Sequence, residues 1–234
     1  MYTMISIENR VAVVTGAGRG IGRAIAIALA QAGARVALAS RSRSELEGTA
    51  REIGNNASVF PTDVRDPAQV SALLDQTAVA LGPVDILVNC AGVGIYGAVV
   101  DFKDEDVGTL LDTNFRGTFY TCRYVLPSMI ERRTGHIINI ASIAGKVGSA
   151  NRAVYCASKF AVVGFTESLA EEVRQYGIRA GVVCPGSTAT GFGATAARDK
   201  MLRPEDVAYA VRMLAMQEPN SFISEIIMRP TQKP

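Results

Sequence analysis

Histidine is almost missing from this 234-residue chain, His136 standing alone, and the four cysteines Cys90, Cys122, Cys156 and Cys184 form no Cys-x-x-Cys pair. The donors of a metal cage and the spacing of a disulfide frame are both lacking, so no metal is expected and the thiols read as reduced. No stretch reaches the ~18 consecutive apolar residues of a membrane span. The opening "MYTMISIENR" is too short and polar for a signal peptide. A soluble cytoplasmic protein with no membrane partner is expected. An excess of one charge is lacking as well: 24 Lys and Arg against 22 Asp and Glu leave +2, without a long basic or acidic run, which removes the footprint of a nucleic-acid binder. There is no internal repeat and no Pro/Ser-rich linker.

What is present suits one well-filled domain over residues 1–234, 48% hydrophobic and 20% charged. Strand-length apolar runs at Val11–Thr15, Arg35–Ala39, Ser58–Phe60, Asp85–Asn89, Gly135–Ile140, Arg179–Cys184 and Glu225–Met228 alternate with helix-period segments near 20–32, 44–53, 67–81, 104–133, 151–176 and 204–216. The first six runs are rich in Val, Ile and Ala without polar alternation, as in strands covered on both faces. Gly33 and Gly177 stop two helices, and Pro204 starts one. The alternation predicts an α/β, doubly wound, seven-stranded and mostly parallel sheet with helices on both faces, whose ligands meet the carboxyl ends of the strands.

At the first such end stands "VAVVTGAGRGIG", a strand running into Gly16, Gly18, Gly20 and Gly22 before a helix. Glycines there permit a tight turn and close approach of a pyrophosphate to the helix N-terminus. Further on, Lys159 interrupts the small, apolar run "AVYCASKFAVVGF" four residues after Tyr155. On a helix that spacing puts both side chains on one face, a turn apart. Alone, the pair reads as a core aromatic beside a snorkelling lysine.

The motifs jointly say more. Thr15-Gly16-x-x-x-Gly20-x-Gly22, "NCAG" at 89–92, Asn114, Ser142 thirteen residues before Tyr155, "YCASK" at 155–159 and "PGSTAT" at 185–190 follow one another over nearly the whole chain. Together they resemble the short-chain dehydrogenase/reductase family and its single-domain Rossmann fold. The pattern and length are most similar to bacterial 3-oxoacyl-(acyl carrier protein) reductases. Cys90 departs from the family, many of whose members carry a second Asn there.

The resemblance implies a carbonyl reductase in which Asn114, Ser142, Tyr155 and Lys159 are catalytic. Tyr155 would give a proton to the substrate oxygen, and Ser142 would hydrogen-bond that oxygen. Lys159 would lower the phenol pKa and bind the nicotinamide ribose. Asn114 would hold a water linking Lys159 to solvent. Cofactor contacts would come from Gly16, Arg19, Gly20, Ile21, Ser40, Arg41, Asp63, Val64, Asn89, Ala91, Gly92, Pro185, Gly186, Thr188 and Thr190, besides Tyr155 and Lys159. Among these, Asp63 and Val64 fall at the adenine and Thr188 and Thr190 at the carboxamide. "VALASRSR" ends the second strand without the acid of NAD-preferring relatives, so Arg19 and Arg41 point to NADP, with no carboxylate to repel a 2′-phosphate.

The substrate pocket falls to Val93–Tyr96, Ala144–Gly148 and Gly191–Met201, mostly small or apolar, with no carboxylate-binding cluster. An uncharged carbonyl region is expected, in an open site suited to an acyl thioester, carrier-bound or free, or another small-molecule ketone. Arg132 and Arg133 could meet an acidic carrier protein or simply favour a helix C-terminus. The small-residue stripe Ala153, Ala157, Ala161 and Gly164, with the helix at 113–133, predicts a homodimer or homotetramer. Two alternatives stay open: an NADP-dependent alcohol or polyol dehydrogenase, and a non-catalytic NADP-binding regulator.

Overall fold

The computed structural model describes residues 4–191, 198–218 and 220–232. Seven strands, β1 (Val11–Thr15), β2 (Arg35–Ser40), β3 (Ala57–Pro61), β4 (Ile86–Asn89), β5 (Gly135–Ile140), β6 (Ile178–Pro185) and β7 (Glu225–Met228), form one sheet in the order β3-β2-β1-β4-β5-β6-β7. Every pairing is parallel. The helices are α1 (Gly20–Gln31), α2 (Arg43–Ile53), α3 (Pro67–Ala80), α4 (Asp104–Leu111), α5 (Gly117–Arg132), α6 (Ala153–Val173) and α7 (Pro204–Ala215).

The unbroken apolar strands are explained by two cores, one on each face. In β1, Ala12 and Val14 pack with Ile25, Leu29, Val207 and Val211, while Val11 and Val13 point the other way to Leu73, Val125, Met129 and Leu169. β3 and β7 are the exceptions: every residue of each keeps some exposure, because these are the two edge strands with a neighbour on one side only. Local signals act where they stand. Ser42 caps α2 by accepting from Glu45 N, and Asp66 caps α3 ahead of Pro67 by accepting from Ala68 and Gln69 N.

The segment 104–133, read as one helix, contains a π-helical turn at Asp112–Arg116 between α4 and α5. The extra residue in that turn re-aims Asn114 inwards, where it is 1% exposed. Beyond α5 the two candidate carrier-binding arginines are engaged within the chain. Arg132 donates to Asp85 Oδ1 (3.1 Å) and the Val84 carbonyl (2.5 Å), and Arg133 donates to the Gln175 carbonyl (2.9 Å). They tie the end of α5 to the start of β4 and to the turn after α6.

The lone histidine is structural. His136 on β5 is buried in register with Arg179 on β6, and neither ring nitrogen has a partner among the described residues. Burial first, and the Arg179 cation second, push its pKa down to about 3. The unfolded chain takes up a proton near pH 6.5 that the fold refuses, so stability is complete above that pH and falls as pH drops towards 3. From pH 6.5 to 5 this amounts to ~2 kcal/mol. We predict that wild type loses about that much more than His136→Phe over this interval in urea unfolding; parallel pH profiles would contradict it.

Candidate active site

The carboxyl ends of β1 and β4 flank the point where strand order reverses, and a cavity of about 1100 Å³ opens there. Its floor is backbone. Thr15 Oγ1 accepts from the N–H groups of Cys90 (3.0 Å) and Ala91 (3.1 Å), drawing the β4 end against the β1 end. Gly16 sits there at φ +68°, and a Cβ on it would lie 3.0 Å from the Ala91 backbone. A Cβ on Gly22 would overlap the Gly16 carbonyl oxygen, so α1 can begin against the turn only with glycine at both places. The resulting floor presents a helix N-terminus to whatever anion lies in the cleft.

One end of the cavity is lined by Arg19, Gly20, Ile21, Ser40, Arg41, Asp63 and Val64. Ser40 Oγ is buried there without a partner among the described residues. Asp63 is less available than its position suggests. Its carboxylate accepts from Arg65 N, Nε (both 3.0 Å) and Nη2 (2.5 Å), and its N–H donates to Gln69 Oε1 (2.9 Å). The Arg65 contacts hold the Asp63 carboxyl below its ordinary value, against a smaller effect of burial. The expectation of no carboxylate at this end is corrected by Glu45, which lines the cavity. A Cβ on Gly18 would lie 2.8 Å from Glu45 Cβ. Its signal was the third position of α2, counted from the cap Ser42, since that turn of the helix faces the glycine loop.

At the other end Ser142, Tyr155 and Lys159 open into the same cavity, with Tyr96, Val147 and Gly148. Ser142 follows β5, and α6 carries Tyr155 and Lys159 one turn apart. The Tyr155 ring meets Tyr96 edge-on, centroids 5.4 Å apart. Burial pushes the phenol up to about 12, the Tyr96 hydroxyl adds to this, and a hydrogen bond with Ser142 and the charge of Arg152 pull it down. Lys159 is 5% exposed. Its ammonium donates to the Ile140 carbonyl (3.0 Å), and burial brings its pKa down to about 8. The expected lowering of the phenol by Lys159 is therefore not produced within the chain, because the ammonium is turned to the end of β5. Sequence reasoning also missed Arg152, just before α6, which lines the cavity and corrects the picture of an uncharged pocket.

Two expected site residues do not line the cavity. Asn89 is buried, its amide accepting from Thr121 Oγ1 (2.6 Å) and donating to Asn139 Oδ1 (2.9 Å), so it joins β4 to β5 and α5. Asn114 Oδ1 accepts from Val93 N (2.8 Å), and its Nδ2 is directed at the Val93 carbonyl and Ser158 Oγ (both 3.0 Å). That set pins the loop after β4 to α6. Ala91, Gly92, Pro185, Gly186, Thr188 and Thr190 do line the cavity. The "PGSTAT" turn is fixed by Leu202 N donating to Ser187 O (2.9 Å) and Ala189 N to Leu202 O (2.8 Å). Of the pocket segment 191–201, residues 192–197 lie outside the described residues; Gly191 and Met201 line the cavity. Among the described residues no His, Cys, Asp and Glu cluster could hold a metal ion, and no helix is long and apolar enough to cross a membrane.

Comparison with known proteins agrees with this architecture. A family model described as short chain dehydrogenase matches residues 10–201. An uncharacterized oxidoreductase of Staphylococcus aureus (strain MRSA252) is 36% identical over 230 residues, covering 97% of this chain and 100% of the relative. One of Staphylococcus saprophyticus is 38% identical over 238 residues with the same coverage. Among solved structures, a metagenomic short-chain oxidoreductase in complex with NADP is 40% identical, with a TM-score of 0.87, covering 97% of this chain and 100% of that one. The closed form of a serine dehydrogenase complexed with NADP+ is 33% identical, with a TM-score of 0.90 and 96% coverage of each.

The Asn114 contacts generate a test. Asn114→Ala leaves the Val93 N–H and C=O without partners in a part-buried place, at ~1–3 kcal/mol for each unsatisfied group. Urea unfolding is expected to show a loss of ~2–4 kcal/mol. A side chain whose only task is to hold a water would leave stability unchanged.

Proposed function

The chain belongs to the short-chain dehydrogenase family, and we propose that it is an NADPH-dependent carbonyl reductase that converts a 3-oxoacyl thioester or similar ketone to the alcohol, with Tyr155 as general acid. The observation that carries this reading is the hydrogen-bonded Ser142–Tyr155 pair opening, with Lys159, into one glycine-floored cleft. NADP is named for two similar solved structures, and the residues present here fit it. The floor admits no Cβ at Gly16 or Gly22, Ser40 Oγ lacks a protein partner, and Arg19 and Arg41 line that end without an ion pair among the described residues. With Arg65 neutralised by Asp63, these two cations outweigh Glu45 and suit a 2′-phosphate. The α1 N-terminus would take the pyrophosphate, Lys159 the ribose, and Thr188 and Thr190 the carboxamide.

When bound, NADPH supplies the hydride that the carbonyl carbon accepts. The chain's residues manage the oxygen. Ser142 holds it by a hydrogen bond, and Tyr155 gives it a proton. A phenol at about 12 stays protonated at any ordinary pH, yet an alkoxide is the stronger base, so the transfer runs downhill. Ser142 and Arg152 are the groups of the chain that favour the phenolate left behind, while Lys159, charged below about pH 8 and turned to the Ile140 carbonyl, is kept for the ribose. Asn114 is a positioning residue for the loop at Val93.

An NADP-dependent alcohol dehydrogenase is the second reading, favoured by the similarity to a serine dehydrogenase. In that direction the same phenol, as phenolate, takes the proton from the alcohol. The regulator reading is weakest, since it would be expected with a damaged catalytic set and Asn114, Ser142, Tyr155 and Lys159 are all intact. A homodimer or homotetramer is supported by the outer face of α6, where Ala153, Ala157, Phe160 and Gly164 are exposed, Phe160 to 45%.

Two measurements test the reading. Tyr155→Phe keeps the ring and removes the proton, so kcat for ketone or 3-oxoacyl thioester reduction should fall at least ~10²–10⁴-fold with NADPH affinity little changed. Lys159→Ala should lose both rate and affinity. Full activity of the phenylalanine variant would sink the mechanism. Separately, Arg41→Asp reverses the charge balance at the phosphate end, so kcat/KM for NADPH relative to NADH should fall by ~100-fold or more. An unaltered ratio would make Arg41 a surface charge only.

A further inference from the structure

Arg10, Arg23, Arg43, Arg65, Arg116, Arg132, Arg174 and Arg203 each pair with a carboxylate. Several arginines outside the cavity, Arg35, Arg123, Arg133 and Arg212 among them, meet carbonyl groups or aromatic rings and have no carboxylate partner among the described residues, so what matters for a ligand is which arginines line the cavity. Arg19, Arg41, Arg152 and Arg229 line the cavity, and none of them has an ion pair among the described residues. Arg19 and Arg41 answer to the phosphate end. Arg152 stands at the other end, beside the reacting groups, and needs a separate explanation.

Its guanidinium lies over the Tyr96 ring, 4.9 Å from the centroid, and that ring in turn meets the edge of Tyr155. The cation is one aromatic ring removed from the phenol, and its charge reaches both hydroxyls. The ring holds the cation by a cation–π contact, while the guanidinium N–H donors have no acceptor among the described residues. The residues outside the description, 1–3, 192–197, 219 and 233–234, include no Asp or Glu side chain. No carboxylate side chain of the protein is therefore available to complete the fork from those segments.

We propose that Arg152, held over the Tyr96 ring, is an anion subsite that selects carbonyl substrates bearing a carboxylate close to the reacting carbon, short 3-oxo acids above neutral esters or thioesters. This rests on the carbonyl-reductase reading and narrows it. A planar fork matches a carboxylate by two parallel hydrogen bonds, and Arg152 and Tyr155 line the same cavity on either side of Tyr96. A neutral ester at the same place accepts more weakly and leaves the charge uncompensated.

The test follows NADPH oxidation with acetoacetate and with its methyl ester in wild type, Arg152→Gln and Arg152→Lys. In parallel, butyrate, which has the carboxylate but no carbonyl, is titrated into each full-length protein with NADP+ and followed by saturation-transfer NMR. Arg152 is exposed, and equal thermal midpoints confirm that the variants are folded. The acid-over-ester ratio of kcat/KM is expected to fall ~30-fold in Arg152→Gln, through KM for the acid, and to recover in large part in Arg152→Lys. Butyrate transfer should vanish in the glutamine variant. An unchanged ratio, including an equal fall for both substrates, would overturn the subsite and leave Arg152 as a prop for Tyr96. Should no carbonyl compound be reduced at all, the reductase reading fails, and butyrate alone decides: loss in Arg152→Gln upholds the anion subsite and retention overturns it.

Discussion

The buried ammonium of Lys159 is the constraint on which the rest of the site depends. It has one hydrogen-bond partner among the described residues, the Ile140 carbonyl at the end of β5. Bringing its pKa from 10.5 to about 8 means that keeping it charged at neutral pH costs the fold about 3 kcal/mol. That cost is relieved only as pH climbs from about 8 through 10.5. A charge held at such expense needs a rigid surround. α6 lies so near the β5 end that a Cβ on Gly145 would come 2.7 Å from the Lys159 carbonyl oxygen, and one on Gly92 would come 3.7 Å from Nζ. The spacing from Tyr155 to Lys159 matters because α6 is fixed at this depth, and Ser142 reaches the phenol because it leaves β5 two residues after Ile140.

A second set of buried polar contacts holds β5 and α6 at that separation. Asn139 accepts from Asn89 and donates to Thr166 (2.8 Å), Asn89 accepts from Thr121, and Thr166 returns a bond to the Val162 carbonyl (2.6 Å). Two central strands and two helices are thereby locked in one arrangement, which apolar packing alone specifies less tightly. Asn89 belongs to this lock. Ala91 and Gly92, which follow the end of β4 at Asn89, line the cleft, whereas the amide of Asn89 itself faces the core.

The fold was legible in the sequence to within a residue or two at most strand ends, because strands buried on both faces leave unbroken Val, Ile and Ala runs and the turns are marked by Gly33, Gly177 and Pro204. The π-turn was not legible. Its effect is a one-residue rotation of Asn114, which no periodicity over 104–133 records. The cavity-lining glycines, Tyr155 and Lys159 were readable because the turn and the helix fix them locally. Glu45 and Arg152 were not, since their places depend on how α2 approaches the glycine loop and on where the Tyr96 loop lies, both tertiary facts. A charge at the first turn of a helix otherwise reads as ordinary helix-end electrostatics.

These missed charges bear on what the cleft discriminates. Its walls are built from glycine backbone and small side chains, which are poor at telling one neutral ligand from another, since a methylene more or less changes binding by only ~1–3 kcal/mol. Unpaired cations discriminate more sharply because an uncompensated charge penalises the wrong ligand as well as rewarding the right one. Glu45 opposes Arg19 and Arg41 at one end, so the proposed preference for a 2′-phosphate rests on an excess of positive charge and can be reversed by a single residue. At the other end no carboxylate among the described residues pairs with Arg152, and the hydroxyls of Tyr96 and Tyr155, pushed up by burial, are neutral at ordinary pH. Under the proposed function, an anionic group on the substrate therefore meets attraction without a compensating repulsion, close to the one proton the reaction needs.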